Sequence, residues 1–375
     1  MSATEPAKKI AGLDHLRALA IILVFLFHYR LFPHPDWVDT IGSFGWTGVD
    51  LFFVLSGYLI AIQIFKTMQA GTFSLHEFFA KRFFRILPAY WVVLSLYFLV
   101  PAFKEWEHLP PLWKFLSFTQ NFGLDLRTQR TFSHAWSLCI EEQFYFLLPF
   151  LVLLFSRLKT GRGTGALIVI ALLIATVIAR LLSWQYFIAP AIDTDTFGFT
   201  WYKYIYYPTY NRLDGLLVGV GIAGLQVYYP KVKEWMRRYS NLLFFAGLIL
   251  VVIAYLICED QYTFAASIYG FIIVAIAYGA LLVCGIAPNG ILNKFRSHIT
   301  SSIATLSYSV YLVHKAIIHL TQDFFIQYDV AADGTNMLIL CSVTTIIAAL
   351  ALNTIIEKPF LKLKEEYLLH IKKKG

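Results

Sequence analysis

Ten apolar runs, most of them near twenty residues long, recur along the chain and limit what it can fold into. A helix needs about 20 mostly apolar residues to cross the hydrocarbon core of a bilayer. The runs fall at roughly 11–32, 47–66, 86–103, 135–156, 166–188, 206–228, 241–258, 264–286, 303–325 and 336–356. Backbone groups in lipid must be hydrogen-bonded within their own segment, so each run is read as a helix. The predicted fold class is therefore all-α, a polytopic transmembrane helix bundle of about ten spans. Composition agrees: 58% of the residues are hydrophobic and 14% charged, against about 45–50% and 25% in soluble domains. No soluble appendage, low-complexity tract or short-period repeat interrupts the pattern. Residues 1–375 are read as a single integral membrane domain, ending in a short basic cytoplasmic tail over 358–375.

Charge orients the bundle. A net charge of +8 in a soluble chain would raise the question of nucleic acid. Here the basic residues lie between apolar runs, so nucleic acid is set aside and membrane lipid is the expected surround. With the N-terminus in the cytoplasm, 21 of the 31 Lys and Arg fall in inner segments and about 5 in outer loops. That is the positive-inside pattern, and it expects both termini inside. Lys8 and Lys9 precede the first run, and His28, Tyr29 and Arg30 end it where a cleavable signal would need small residues. A retained first helix is expected. Cys139, Cys258, Cys284 and Cys341 lie in or beside apolar runs at no metal-like spacing. They are read as small core residues, and no metal is expected.

Charged groups inside spans cost at least about 2.5–3.5 kcal/mol each and default to functional candidates. The first span carries Arg17 and His28, the second Asp50, the fourth Glu141 and Glu142, the sixth Arg212 and Asp214, and the ninth His314, Lys315 and His319. In the expected orientation His28, Asp50, Glu141, Glu142, Arg212 and Asp214 all belong to the outer half, and His314 lies near the middle. Arg17 and His28 are eleven residues apart. That is close to three helical turns, about 16 Å along one face. Arg82 and Arg85 stand at i and i+3 in the expected cytoplasmic segment before span three. Two guanidiniums on one face make a phosphate clamp, and CoA carries several phosphates. Basic-aromatic segments also hold lipid headgroups.

Seven motifs stand in order along nearly the whole chain: LDHLRALAIILVFLFH at 13–28, GVDLFFVLSGYLI at 48–60, FFAKRFFRILPAY at 78–90 and HAWSLCIEEQFYFLLP at 134–149, then YNRLDGLLVGVGIA at 210–223, LSYSVYLVH at 306–314 and EKPF at 357–360. In these motifs the chain resembles the acyltransferase-3 family of integral membrane O-acyltransferases. The resemblance implies transfer of a short acyl group, most often acetyl, from acyl-CoA to a hydroxyl of a cell-surface polysaccharide or lipopolysaccharide, in a bacterial inner membrane. By the same resemblance His28 matches the catalytic base, Arg17 its partner arginine, and Arg82 with Arg85 the pair that binds acyl-CoA. Some members carry a C-terminal SGNH hydrolase-like domain, and none is expected in 1–375.

An imidazole near its ordinary pKa suits the removal of a hydroxyl proton. Glu141 is the first choice to orient His28, with Glu142 or Asp50 as substitutes. Arg17 is expected at the pantetheine arm or thioester oxygen. Glu142, Trp136, Arg212, Asp214, Tyr311 and His314 are expected around a saccharide or glycolipid acceptor, Trp136 stacking on a sugar ring. Ser56 and Gly57 are read as close helix packing. The competing function is a transporter or flippase for a saccharide or lipid intermediate, with His28, Asp50 and Glu141 as a proton relay. A scaffold without chemistry is the third reading. A homo-oligomer is compatible with the pattern, which does not specify one.

Overall fold

The structure is a computed structural model that describes residues 10–158 and 162–374. Among these residues nine helices are long and apolar enough to cross a membrane, and a tenth apolar helix is shorter. They are α1 (Ala11–Tyr29), α2 (Thr47–Gln69), α3 (Leu75–Leu99), α4 (Trp136–Arg157), α5 (Arg162–Ser183), α6 (Asp214–Tyr228), α7 (Ser240–Ile257), α8 (Phe271–Ile286), α9 (His298–Ile326) and α10 (Thr335–Leu352). A last helix, α11 (Lys358–Lys374), follows α10 through a π-helical turn at Asn353–Glu357. The basic tail is therefore helical, and it is docked: the Tyr367 hydroxyl meets His76 Nε2 at 3.0 Å beside α3. The all-α polytopic bundle expected from the runs is the fold observed, and the protein is an integral membrane protein.

The helices pack in pairs, α2 on α6 and α1 on α9 running parallel, α7 on α8 and α9 on α10 antiparallel, with α1 also touching α2 and α8. The span ending in α2 and the span containing α8 are each 72% buried, whereas those of α5 and α7 are 11% and 17% buried. The former build the core and the latter face lipid, which explains why α5 and α7 carry so many exposed Leu, Ile and Val side chains.

Two boundaries differ from those read off the apolar runs, each for a local reason. Helix α3 starts at Leu75, eleven residues before the run at 86. Ser74 caps it by accepting from Glu77 N at 3.3 Å, the S-x-x-E capping signature. Arg82 and Arg85 therefore ride on the spanning helix itself and not on a separate interface segment. Helix α6 starts at Asp214, not at 206, because Pro208 interrupts the run. Its 15 residues rise only about 22 Å, short of the roughly 30 Å core. Arg212 thus precedes the helix. Arg180 on α5 satisfies a carbonyl freed by this break, donating to Asn211 O at 2.8 Å, and also donates to Ile268 O, ahead of α8, at 3.1 Å. Irregular backbone at membrane depth survives only when protein groups replace the missing bonds in this way.

Helices α2 and α6 touch through glycine. A Cβ on Gly57 would stand 2.1 Å from Leu216 O, and one on Gly219 would stand 2.3 Å from Val54 O. Backbone atoms cannot move aside as a side-chain tip can. Gly57→Ala is expected to cost about 1–3 kcal/mol by overpacking, read as a lower unfolding temperature of the detergent-solubilised protein. An unchanged temperature would show that this seam yields.

Candidate active site

Two of the cavities among the described residues lie along the bundle, one near each end, and most of the candidate residues divide between them. The outer cavity, about 370 Å³, is lined by His28, His134, Trp46, Trp136, Arg130, Asp195 and the tyrosines 202, 206, 207 and 262. The inner cavity, about 300 Å³, is lined by Arg17, Arg82, Arg85, Gln63, Ser56, Glu141, Glu142, Tyr145 and Tyr311. "Outer" and "inner" here mean the ends of α1 that carry Tyr29 and Ala11.

His28 is held by another histidine. His28 Nδ1 and His314 Nε2 are 2.9 Å apart. His314 Nδ1 faces the carbonyls of Tyr311 at 2.8 Å and Val310 at 3.1 Å. Carbonyl oxygens bring no proton, so His314 Nδ1 carries one. Both rings are buried, where an unpaired imidazolium is costly. In the neutral ring His314 Nε2 is then an acceptor, and His28 Nδ1 must donate to it. The lone pair of His28 is thereby assigned to Nε2, the atom a base would use. His314 lines neither of these cavities, so its expected place against an acceptor is corrected: it is bonded to His28 instead.

A third histidine, His134, completes the cluster, with ring centroids 5.7 Å from His28 and 4.9 Å from His314. The preceding Phe132 has φ +51°, a left-handed conformation rare for a bulky residue, and it turns the chain so that His134 reaches the cavity. Both ring nitrogens of His134 and Nε1 of Trp46 lack hydrogen-bond partners among the described residues. His134 was not singled out from sequence, although it opens the HAWSLCIEEQ motif. Beside it, Lys315 is buried against Glu105 at 3.4 Å and donates to Ser133 Oγ at 3.3 Å. Trp106 lies under both Lys315 Nζ, at 4.5 Å, and the Arg130 guanidinium, at 4.3 Å. These contacts tie the 101–134 loop over the cavity. Their partners are far apart in sequence, and no spacing signals them.

The inner cavity follows one face of α2. Val49, Phe52, Phe53, Ser56, Leu59, Ile60 and Gln63 line it, recurring at helical spacing. From Val49 to Gln63 this face rises about 21 Å. At the Gln63 end, Arg82 Nη2 reaches Gln63 Oε1 at 3.4 Å and its guanidinium lies 5.3 Å from the Tyr145 ring. Arg82 Nε is buried without a partner among the described residues. Arg85 is exposed, so the basic end of the cavity opens outward. Arg17, Arg82 and Arg85 are brought together by α1 and α3, helices from separate parts of the chain.

Five expected placements are corrected. Glu141 accepts from Ser56 Oγ at 2.7 Å and faces the inner cavity, as does Glu142. One turn of α4 separates them from Ser137, so they lie below the histidines and Glu141 does not orient His28. Asp50 accepts from Arg212 Nη2 at 3.0 Å through both oxygens. It turns away from His28 because it sits on the opposite side of α2 from the cavity-lining face. Asp214 is bound by Arg180 at 2.5 and 3.1 Å. Arg212 and Asp214 line neither of these two cavities. Arg212 is instead packed among rings, 4.0 Å from Phe271, 4.5 Å from Tyr206 and 5.4 Å from Trp136. Trp136 does line the outer cavity, in edge or tilted contact with Tyr206 and Tyr207 at 4.8 and 5.4 Å.

The cavities are kept apart by a thin wall. Tyr311 donates to His134 O at 2.6 Å, and Ser137 Oγ meets the Tyr311 hydroxyl at 2.5 Å. Since Tyr311 spends its proton on the carbonyl, Ser137 is the donor to Tyr311. Tyr311 lines the inner side of this wall and not the acceptor side. Among the lining residues Val49 alone faces both cavities.

The fold and the site define a membrane-embedded helical bundle with a basic slot near one end and a buried histidine pair near the other. The chain matches the profile of a family described as an acyltransferase domain over residues 10–356, and it belongs to that acyltransferase-3 family. It is 30% identical over 336 residues to the peptidoglycan O-acetyltransferase OatA of Listeria monocytogenes, covering 84% of this chain and 50% of that protein. It is 28% identical to the putative peptidoglycan O-acetyltransferase YrhL of Bacillus subtilis, covering 85% and 50%. A putative O-acetyltransferase of Staphylococcus aureus strain COL is 27% identical, covering 84% and 52%. The chain spans about half the length of these relatives. No solved structure matches it.

Removing one partner of a buried ion pair strands the other charge, at a cost of about 3–5 kcal/mol. Asp50→Ala and Arg212→Ala are each expected to lower the unfolding temperature sharply, and the double variant to lose less than the two losses added. Additive losses would show that the pair is not coupled.

Proposed function

We propose that the chain is a membrane O-acetyltransferase that moves its acyl group from acetyl-CoA to a saccharide hydroxyl of a cell-surface polysaccharide, with His28 as general base. One observation carries the reading: a slot walled by Arg17, Arg82 and Arg85 ends at a wall one side chain thick, and His28 lies just beyond it. Arg82 and Arg85 suit donor phosphates, being forked donors at the open end. The length of the slot along α2 suits an extended pantetheine arm. Arg17 and Glu141 lie beside that arm, Glu141 held by Ser56.

On the outer side, aromatic faces and unpaired polar nitrogens suit a sugar, whose ring stacks and whose hydroxyls both donate and accept. His28 Nε2 takes the proton of the acceptor hydroxyl as its oxygen bonds to the thioester carbonyl carbon. The carbon–sulfur bond breaks, and the same proton passes to the departing thiolate, which leaves as CoA. His314 holds the ring in the required tautomer throughout. His134, unpaired and in the same cavity, is placed to hydrogen-bond the acceptor. Two of the three relatives are named for peptidoglycan, and that polymer is the first acceptor to try. Acetyl transfer and a bacterial inner membrane with both termini cytoplasmic complete the proposal.

The transporter reading needs Asp50 and Glu141 in a proton relay with His28. Asp50 is spent on Arg212 and Glu141 lies across the wall, so that relay lacks its members.

Membranes carrying the protein, given labelled acetyl-CoA and cell-wall polysaccharide, are expected to form alkali-labile ester. His28→Ala should lower ester formation by about 10²–10⁴, the usual contribution of a positioned base. A variant retaining near-normal activity would refute the base. Arg82→Ala with Arg85→Ala should raise the KM for acyl-CoA more than it lowers kcat, and an unchanged KM would remove the pair from the donor site. His314→Ala should lower kcat with little change in donor KM, because it acts through His28. His314→Gln, which keeps an acceptor for His28 Nδ1–H, should restore part of the loss. Equal loss in both variants would count against the tautomer role.

A further inference from the structure

We infer that Val49 sets the length of the acyl group the protein accepts. The inference rests on the acyl-transfer reading and adds to it the residue that makes the reaction selective for a short chain.

The attacking oxygen is held at His28, in the outer cavity, and the donor enters from the inner one. The thioester carbonyl carbon must therefore sit at the wall between them, with its substituent chain in whatever volume the wall leaves. Val49 is the side chain common to both cavities. Around it the inner slot closes on Phe52, Ser137 and Tyr311, and Trp136 backs the outer side. Phe52 and Tyr311 are in edge contact at 6.5 Å, and Ser137 is bonded to Tyr311. None of these can swing away without breaking a contact, so the isopropyl group of Val49 is the adjustable part of the floor.

The backbone at Val49 has no freedom to compensate. On one side Gly48 lies so close to α1 that a Cβ there would meet Ala20 O at 2.5 Å. On the other side Asp50 is fixed by its two 3.0 Å contacts with Arg212. With α2 held on both flanks, the space at the end of the slot depends directly on the size of the side chain at position 49. One methylene against a rigid apolar wall is worth about 10–200-fold in discrimination.

The test uses the full-length protein in membranes with acetyl-, propionyl- and butyryl-CoA as competing donors and the same polysaccharide acceptor. Val49→Ala is expected to raise the ratio of butyryl to acetyl ester by about tenfold or more, and Val49→Ile to lower the propionyl to acetyl ratio by a similar factor. A packing role alone would lower all three esters together and leave the ratios in place. Ratios within about twofold of the unsubstituted protein in both variants would overturn the inference. If Val49→Ala does not accumulate, the larger Val49→Ile decides alone. Failure of the underlying reading looks different: the unsubstituted protein would then form no ester from any of the three donors, and this inference would fall with it.

Discussion

Asp50 and Arg212 are joined where neither lipid nor bulk water can compensate a charge, and the arrangement of the site depends on that bond. Arg212 precedes α6, in a chain break that a membrane would not tolerate unsupported. Its ion pair with α2, its aromatic surround, and the parallel Arg180–Asp214 pair convert the break into a fixed corner. That corner orients Trp136 and the tyrosines of the outer cavity and holds α2 at the register where Val49 meets both cavities. Buried ion pairs add little net stability over apolar packing. Their value here is positional, because each is satisfied in only one arrangement of the helices.

Around this corner the molecule separates two chemistries that cannot share one space. Guanidiniums that suit phosphate would be poor neighbours for a neutral base, since a nearby cation opposes proton uptake. The inner slot keeps Arg82 and Arg85 more than three turns of α2 away from the histidine cluster. The nearest cation to that cluster, Lys315, is balanced by Glu105 and shielded by Trp106. In the proposed reaction the two substrates meet only across a wall, which would also limit the loss of a thioester to water.

Much of this was readable in the chain. All ten helices were visible as apolar runs, because insertion into lipid leaves a strong and local composition signal. His28 and Arg17 stood out because charge in such runs is expensive, and Arg82 with Arg85 because two guanidiniums share one helix face. The S-x-x-E cap before α3 and Pro208 before α6 were local signals too, and they correct the two boundaries that hydropathy alone misplaced. His134 was less visible, since a lone histidine beside a span has no distinguishing spacing. The pairing of carboxylates was not visible at all: Glu141 and Asp50 were equally plausible neighbours of His28 on depth alone.

By itself the sequence determined that the chain lies in a membrane, where its apolar helices fall, and which few polar side chains had to be used for something. Those are consequences of solvation, paid residue by residue along the chain. Only the tertiary structure decided which charge answers which: Asp50 with Arg212, Asp214 with Arg180, Glu141 with Ser56, and His28 with His314, 286 positions away. Helix periodicity assigns a residue to a face and an approximate depth, but the partner across that face is chosen by how the helices rotate and cross. That choice is made by close backbone contacts such as Gly57 against Leu216, which no single segment contains.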